Sequence, residues 1–387
     1  MLPTPIAHVI VVVQQHRTLD NLFACSGISG LDVVQTDPVS GHALTHISLS
    51  TNTGDIGHFY ATFKAQYDLG AMDGFDSSII ACVTDAQTYW GLAQQYDVAD
   101  EVFSAQESES FGATQFLIAG QSGGWYSADG GGAFSESNPS AGCGVSTQAR
   151  AMFYNTPYPA PEPTTYPTCR DYGTIMDSAT SWKFYTPANN TKVSGTDSVQ
   201  HLYNAQHATT PETQFLTDIA NGTLAEITYV VPSATNSDYP CSSTCSDGGP
   251  SWVTSIVRAV CNSSFWPTTT ILLTWDQWGG WYDHVKPPVA FFPPLCGGGG
   301  SCNPLEAGFR TPLLAISPYA RSGFISHTSR TQCAILGYIE ATLQLPSLST
   351  CDSYSNLAGG TDTLSDMFNY EQQPQPCIAD PAGRRWL

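Results

Sequence analysis

Residues 268–288 read TTTILLTWDQWGGWYDHVKPP. The stretch begins with an apolar run of Thr, Ile and Leu, a composition typical of a buried β-strand. Asp276 stands at the end of this strand, and Gly279 and Gly280 then allow a sharp turn of the backbone. Ligands of open α/β sheets bind at the carboxyl ends of the strands. The stretch therefore predicts a polar site around Asp276, the alternative being a loop whose polar side chains only brace it.

The composition indicates an acidic protein with few charged residues. The chain has 387 residues, of which 41% are apolar and 12% charged, and 13 basic residues face 33 acidic ones for a formal charge of −20. This length suffices for one large α/β domain or for two smaller ones. Such a negative surface should repel nucleic acid and anionic membranes. We therefore expect no nucleic-acid partner. We also expect no transmembrane segment, because no apolar run reaches the length of a transmembrane helix.

The chain contains 12 cysteines, scattered mostly through polar loops. Zinc sites need clustered Cys or His pairs at set spacing, which the sequence lacks, so an even number of loop cysteines favours disulfides and an oxidising compartment. We expect the local bridges Cys241–Cys245 and Cys296–Cys302. Residues 123–168, rich in Gly, Ser and Pro, are expected to form an insertion pinned by Cys143 and Cys169. The expected location is extracellular or periplasmic, for a mature secreted chain whose leader is absent.

The end of the opening stretch follows the pattern T-W-D-x-x-G-G-x-Y-D-H-V-x-P-P, which resembles the hallmark of the bacterial phosphoesterase family. That family includes phospholipases C and acid phosphatases and belongs to the alkaline phosphatase-like superfamily. The resemblance extends from His8 to about Phe368 and implies one α/β domain over residues 1–387. The implied fold has a mostly parallel central sheet flanked by helices, with loop-rich, disulfide-pinned insertions. Its strands are expected to include His8–Val13, Ile227–Val231, Thr268–Thr274 and Leu313–Ile316.

The resemblance implies a serine nucleophile at Ser110. Residues 103–114 read FSAQESESFGAT and align with the family pattern F-S-x-x-x-G-P-S/T-x-P-N-H/R, whose Ser or Thr is the nucleophile. The same register implies catalytic roles for Arg17 and His58, and His201 stands where the family tends to have a histidine. An isolated serine or histidine carries no such meaning, because most are solvated or structural.

The metal site that the resemblance implies is altered in this chain. The family's Glu and Asn ligands fall on Gln15 and His16, and a further carboxylate falls on Gln277, while Asp276 is retained. Amides are neutral and weaker ligands than carboxylates, so the two lost charges predict weak binding of Ca²⁺ or Mg²⁺. The imidazole of His16 could still hold a softer transition metal. A divalent ion of unidentified kind and a site without metal both remain open.

Four further residues are expected to line the site by the same resemblance. Asp20 matches an aspartate of the segment that contains Arg17. Asp283 and His284 follow the two glycines of the opening stretch. Tyr239 stands in NSDYP, where the family has N-S-D-H-P, so a site histidine has become a tyrosine.

The motifs favour a hydrolase that cleaves phosphate esters through Ser110, acting on a small phosphate ester or a phospholipid headgroup. Both a phosphatase and a phospholipase C are compatible with them. The lost carboxylates leave a second alternative open, a catalytically silent extracellular protein that binds a partner or assembles with copies of itself. A glycan-cleaving or glycan-binding protein, suggested by nine Trp and 18 Tyr, is least favoured because no paired carboxylate motif is present.

Overall fold

The computed structural model describes residues 4–107, 109–122, 125–126, 142–143, 150–153, 164–167, 169–187, 195–204, 208–240, 248–288 and 307–377. The strands in these ranges are β1 (His8–Gln14), β2 (Thr45–Ile47), β3 (Ala81–Val83), β4 (Asp97–Ala99), β5 (Val102–Phe103), β6 (Trp125–Tyr126), β7 (Arg150–Phe153), β8 (Thr164–Pro167), β9 (Trp182–Tyr185), β10 (Ala208–Thr209), β11 (Ile227–Val230), β12 (Thr269–Trp275), β13 (Leu313–Ile316), β14 (Phe324–Ser326) and β15 (Arg330–Thr331). The α-helices are α1 (Leu19–Phe23), α2 (Tyr60–Tyr67), α3 (Gln87–Gln95), α4 (Ser110–Ala119), α5 (Gln200–Asn204), α6 (Gln214–Ala220), α7 (Gly248–Cys261) and α8 (Ala334–Leu343). No described helix has both the length and the apolar character needed to cross a bilayer.

The largest sheet has eight strands in the order β10-β9-β11-β1-β12-β13-β4-β14. Neighbouring strands from β10 to β12 are parallel, β13 is antiparallel to both β12 and β4, and β14 is parallel to β4. All four strands predicted from the sequence lie in this sheet. The predicted fold class, a mostly parallel central sheet flanked by helices, is therefore confirmed.

The sheet is covered on both faces, as the continuous apolar run of β1 requires. Val9 and Val11 belong to one core cluster, which also contains side chains of α4 and α8. Ile10 and Val12 belong to a second cluster, which contains side chains of α3 and α7. Successive side chains of a strand point to opposite faces, so the two clusters are the two layers of core on either side of the sheet.

Disulfides tie distant parts of the described chain together. All eight cysteines in the described ranges are paired, as Cys25–Cys82, Cys143–Cys169, Cys261–Cys377 and Cys333–Cys351. The predicted pinning by Cys143 and Cys169 is confirmed. The predicted bridges Cys241–Cys245 and Cys296–Cys302 lie outside the described residues. Closed loops of this kind stabilise a fold by restricting its unfolded state.

Residues 123–168 contain a small sheet that their Gly-, Ser- and Pro-rich composition did not indicate. β6, β7 and β8 form a three-stranded antiparallel sheet in the order β6-β7-β8. The remaining residues of this predicted insertion, apart from Gly142 and Cys143, lie outside the described ranges.

Candidate active site

Two central strands bring His16 and Asp276 together. β1 ends at Gln14 and β12 at Trp275, and these two residues are register partners in neighbouring parallel strands. The residues that follow leave the sheet at the same edge, where the Asp276 amide donates to the Gln14 carbonyl at 3.0 Å. The His16 amide donates in turn to Asp276 Oδ1, also at 3.0 Å. This edge consists of carboxyl ends of parallel strands, where open α/β sheets place their ligands.

The backbone at His16 is tightly constrained. His16 has a φ of 62°, in the left-handed region that non-glycine residues rarely adopt. The turn after β12 passes close to it, since a Cβ at Gly279 would lie 2.4 Å from the His16 carbonyl oxygen. Gly279 also has a φ of 66°, so both the space and the conformation require glycine there. Strained backbone of this kind occurs at functional sites, where the surrounding structure holds it in place.

The Ser110 hydroxyl lies between the imidazole of His16 and the carboxylate of Asp276. Ser110 is the first residue of α4. Its Oγ is 2.7 Å from His16 Nε2 and donates a hydrogen bond to Asp276 Oδ2. His16 Nε2 and Asp276 Oδ2 are 3.5 Å apart. These three fully buried residues are called the Ser110 cluster below.

Two aromatic rings contact the His16 ring. The centroid of the His58 ring lies 4.6 Å from that of His16, and the Tyr239 centroid lies 4.5 Å from it. His58 is itself oriented by a contact of 2.6 Å between its Nδ1 and the Ile56 carbonyl oxygen. The structure thus places His58 and Tyr239 beside the Ser110 cluster. A catalytic role for His58 stays a prediction.

Both glutamines at the predicted metal positions are buried. The side-chain oxygen of Gln277 accepts from the Gly279 amide at 2.6 Å, and the Gln277 backbone amide donates to Asp276 Oδ1 at 2.9 Å. Gln277 Nε2 has no acceptor among the described residues. Gln15 precedes His16 and is 8% exposed. The Gln277 amide therefore shapes the turn after β12.

Arg17, a predicted catalytic residue, is engaged with other groups of the protein. Its Nε donates to the Asp238 carbonyl at 2.8 Å and its Nη1 to Asn21 Oδ1 at 3.0 Å. The guanidinium carbon lies 4.9 Å from the centre of the Trp281 ring. Burial lowers the pKa of Arg17 to about 10, although the charge of Asp238 opposes this shift. Contact of Arg17 with a transferring phosphoryl group stays a prediction.

His201, the third predicted catalytic residue besides Ser110, pairs with two aspartates. Its Nδ1 lies 2.5 Å from Asp171 Oδ1 and its Nε2 lies 2.9 Å from Asp177 Oδ1. Burial lowers the pKa of His201, but its hydrogen bond to Asp171 and the charge of Asp177 raise the pKa overall. These contacts occupy both ring nitrogens. A catalytic role for His201 stays a prediction and has no support from its described contacts.

Asp20, Asp283 and His284 gather around Arg310, a residue that no site motif singled out. Arg310 Nη2 lies 2.7 Å from Asp283 Oδ1 and 3.3 Å from Asp20 Oδ2, and His284 Nδ1 lies 2.7 Å from Asp20 Oδ2. Burial lowers the pKa of Arg310, but the charges of Asp283 and Asp20 outweigh burial and raise it. These four residues are called the Arg310 cluster below. A sequence signal exists, since Arg310 lies three residues before β13 in a chain with only 13 basic residues.

The model of the phosphoesterase family matches residues 6–346. The chain belongs to the phosphoesterase family. Phospholipase C A of Mycobacterium tuberculosis is 30% identical over 239 residues, which cover 54% of this chain and 45% of the relative. The hemolytic phospholipase C of Pseudomonas aeruginosa is 28% identical over 189 residues, covering 41% of this chain and 25% of that protein. The chain thus spans less than half the length of these relatives.

A protein of the alkaline phosphatase superfamily from Vibrio parahaemolyticus superposes with a TM-score of 0.40 at 9% identity, covering 94% of this chain and 71% of that chain. The fold assignment rests on the strand order and directions given above.

Phosphoesterase family members often use metal ions, but the residues around Asp276 do not fit a hard divalent ion. Asp276 is the only carboxylate among the four predicted ligands, which otherwise comprise His16 and the amides Gln15 and Gln277. Sites for Ca²⁺ take six to eight oxygen ligands, roughly, and depend on several carboxylate charges. The amide oxygen of Gln277 already accepts a backbone hydrogen bond. One carboxylate therefore leaves the charge of such an ion largely uncompensated.

Two other groups of three donor side chains occur within the described ranges, and neither suits a metal. One consists of Asp20, Asp283 and His284, where the guanidinium of Arg310 already supplies the positive charge. The other includes Cys25 and Cys82, which are joined in a disulfide.

Proposed function

We propose that this protein hydrolyses phosphate esters with the Ser110 hydroxyl as the nucleophile. The observation that carries the proposal is the contact of Ser110 Oγ with both His16 Nε2 and Asp276 Oδ2 at the carboxyl edge of the sheet. A nucleophilic serine needs a neighbouring base or a metal, because its hydroxyl alone is a weak nucleophile. The family membership supports phosphorus as the atom attacked.

The position of Ser110 suits the charge that develops during phosphoryl transfer. Ser110 begins a ten-residue helix, and the positive end of a helix dipole favours negative charge at this point. The cluster is shielded from water, which strengthens electrostatic interactions with a transferring phosphoryl group. In the proposed reaction Ser110 Oγ bonds to phosphorus, the alcohol leaves, and water then hydrolyses the phosphoserine.

The substrate class proposed is a phosphodiester of a phospholipid headgroup, because relatives in this family are phospholipases C. A small phosphate monoester is the alternative within the same chemistry. The formal charge of −20 favours uncharged or zwitterionic lipid surfaces over anionic ones. The paired cysteines support a location outside the cytoplasm, where disulfides persist.

The test compares the wild-type protein with Ser110→Ala on p-nitrophenyl phosphorylcholine and on p-nitrophenyl phosphate. We expect wild-type turnover of the diester, and a loss of roughly a thousandfold or more in Ser110→Ala, as for other lost nucleophiles. Ser317→Ala is the matched control, because Ser317 is also fully buried and donates to the Thr269 carbonyl at 3.2 Å. Turnover that survives Ser110→Ala would contradict the proposal, and silence toward both esters would favour the binding-protein alternative.

A further inference from the structure

The Ser110 cluster contains a group that can activate the nucleophile without a metal. His16 Nε2 lies 2.7 Å from Ser110 Oγ, within the range expected of a general base and the proton it removes. Ser110 Oγ also donates to Asp276 Oδ2, so the imidazole and the carboxylate are the two side chains in contact with the nucleophile. The resembling family has Asn at the position of His16, so its pattern does not account for an imidazole beside the serine.

The surroundings hold His16 in this orientation. Its amide is fixed to Asp276 Oδ1 at 3.0 Å, and its ring contacts the rings of His58 and Tyr239. Asp276 Oδ2 lies 3.5 Å from His16 Nε2, so the carboxylate lies beside the positive charge that forms when the ring takes a proton. A catalytic base must be positioned as well as basic, and these contacts fix both the ring and its counter-ion.

We propose that His16 is the general base that removes the Ser110 proton, so that phosphoester hydrolysis here proceeds without a divalent metal ion. This inference rests on the proposed function. The disagreement between the family's metal chemistry and the donor set around Asp276 motivates it, because a single carboxylate cannot balance a hard divalent ion. Gln15 and Gln277 are amides where the resembling family has carboxylates, which is consistent with a reaction that no longer uses the ion.

The proposed reaction balances in two steps. First, Ser110 Oγ bonds to phosphorus while its proton passes to His16 Nε2, and the bond from phosphorus to the ester oxygen breaks. The leaving oxygen takes the proton from His16, which releases the alcohol. Second, water attacks the phosphorus of the phosphoserine and gives a proton to His16 Nε2. The bond from phosphorus to Ser110 Oγ then breaks, and Ser110 Oγ takes that proton from His16. Ester and water are consumed, and alcohol and phosphate product are formed.

The experiment has two arms, both on the full chain. In the first arm, the wild-type protein is treated with a chelator and dialysed, its metal content is measured by mass spectrometry, and diester hydrolysis is followed. In the second arm, His16→Asn is compared with His8→Asn. His8 is the matched control, because it lies at the opposite end of β1 with its Nδ1 at 3.0 Å from the Ala225 carbonyl oxygen.

We expect metal-free wild-type protein to keep its turnover, and His16→Asn to lose on the order of a hundredfold or more in kcat. His16→Asn combined with Ser110→Ala should lose little more than Ser110→Ala alone, because the two residues act as a unit. His8→Asn should match the wild type.

Ser110-dependent turnover that disappears with the metal and returns with added divalent ions would overturn the inference while leaving the proposed function intact. A kcat of His16→Asn within about threefold of the wild-type value would also overturn the inference. A lost general base should lower kcat by at least about a hundredfold. Absence of Ser110-dependent hydrolysis with or without divalent ions would contradict both proposals. If His16→Asn fails to fold, the metal-removal arm alone still decides.

Discussion

The Ser110 cluster and the Arg310 cluster each combine a histidine with aspartate, but they differ in how their charges are balanced. In the Arg310 cluster, a fully buried guanidinium faces Asp283 and Asp20, and every carboxylate has a cation within reach. In the Ser110 cluster, no Lys or Arg among the described residues pairs with Asp276, whose partners are backbone amides and a hydroxyl. The balanced charges of the Arg310 cluster suit a structural brace, whereas the carboxylate beside a hydroxyl and an imidazole is the arrangement from which we propose a reactive serine.

One continuous segment supplies residues to both clusters. Asp276 and the pair Asp283-His284 belong to the same fifteen-residue hallmark, yet the turn at Gly279 and Gly280 separates their roles. His284 contacts Asp20 of α1 directly, and Asp283 is linked to Asp20 through Arg310. The second half of the hallmark thus holds the first half in place.

Removing Arg310 should produce the largest loss of stability. Arg310→Met would leave buried carboxylates without their cation, and breaking a buried ion pair in this way costs about 3–5 kcal/mol. Ser110→Ala removes the contacts of this hydroxyl with His16 and Asp276 and should cost less, about 1–3 kcal/mol. Urea unfolding followed by circular dichroism would measure both. Arg321→Met, at an exposed arginine, is the control, and an Arg310→Met cost no larger than the control's would break the comparison.

A smaller effect is expected in the pH dependence of stability. Burial lowers the pKa of His284, but its hydrogen bond to Asp20 and the charge of Asp20 raise the pKa above its ordinary 6.5. A raised folded-state pKa gives stabilisation that is complete below pH 6.5 and is lost as pH rises through the raised value. His284→Gln should therefore flatten the fall in unfolding free energy on the alkaline side.

The measurement is the urea midpoint of unfolding on either side of pH 6.5, for the wild type and for His284→Gln. His8→Gln serves as the control, since no group of the Arg310 cluster contacts His8 among the described residues. If the urea midpoint changes with pH equally in the wild type and in His284→Gln, the His284–Asp20 contact contributes nothing to the stability of the Arg310 cluster.

Much of the fold could be predicted because the decisive signals are local. The apolar runs of β1, β11, β12 and β13 identify buried strands, and the structure differs from their predicted bounds by only one residue at an end. The strands β6, β7 and β8 escaped prediction because their composition resembles that of a loop. The motif register also placed Ser110 and Asp276 in one site, 166 residues apart.

The finer chemistry could not be predicted, because it depends on contacts between distant segments. Arg310 meets Asp20 across 290 residues, and no local pattern near either residue indicates the other. The contact of His16 with Ser110 depends on a left-handed backbone at His16 and on the missing Cβ of Gly279. The motif indicated His16 only as an altered metal position, whereas the structure places its Nε2 2.7 Å from Ser110 Oγ.

In the proposed reaction, Ser110 Oγ forms a covalent bond to phosphorus. The most direct measurement is the stereochemistry at phosphorus when a P-chiral phosphorothioate diester is hydrolysed in water enriched in heavy oxygen. Two successive displacements, first by Ser110 and then by water, each invert the configuration, so the account predicts net retention, with no product from Ser110→Ala. Net inversion would show a single direct attack by water and would contradict the account.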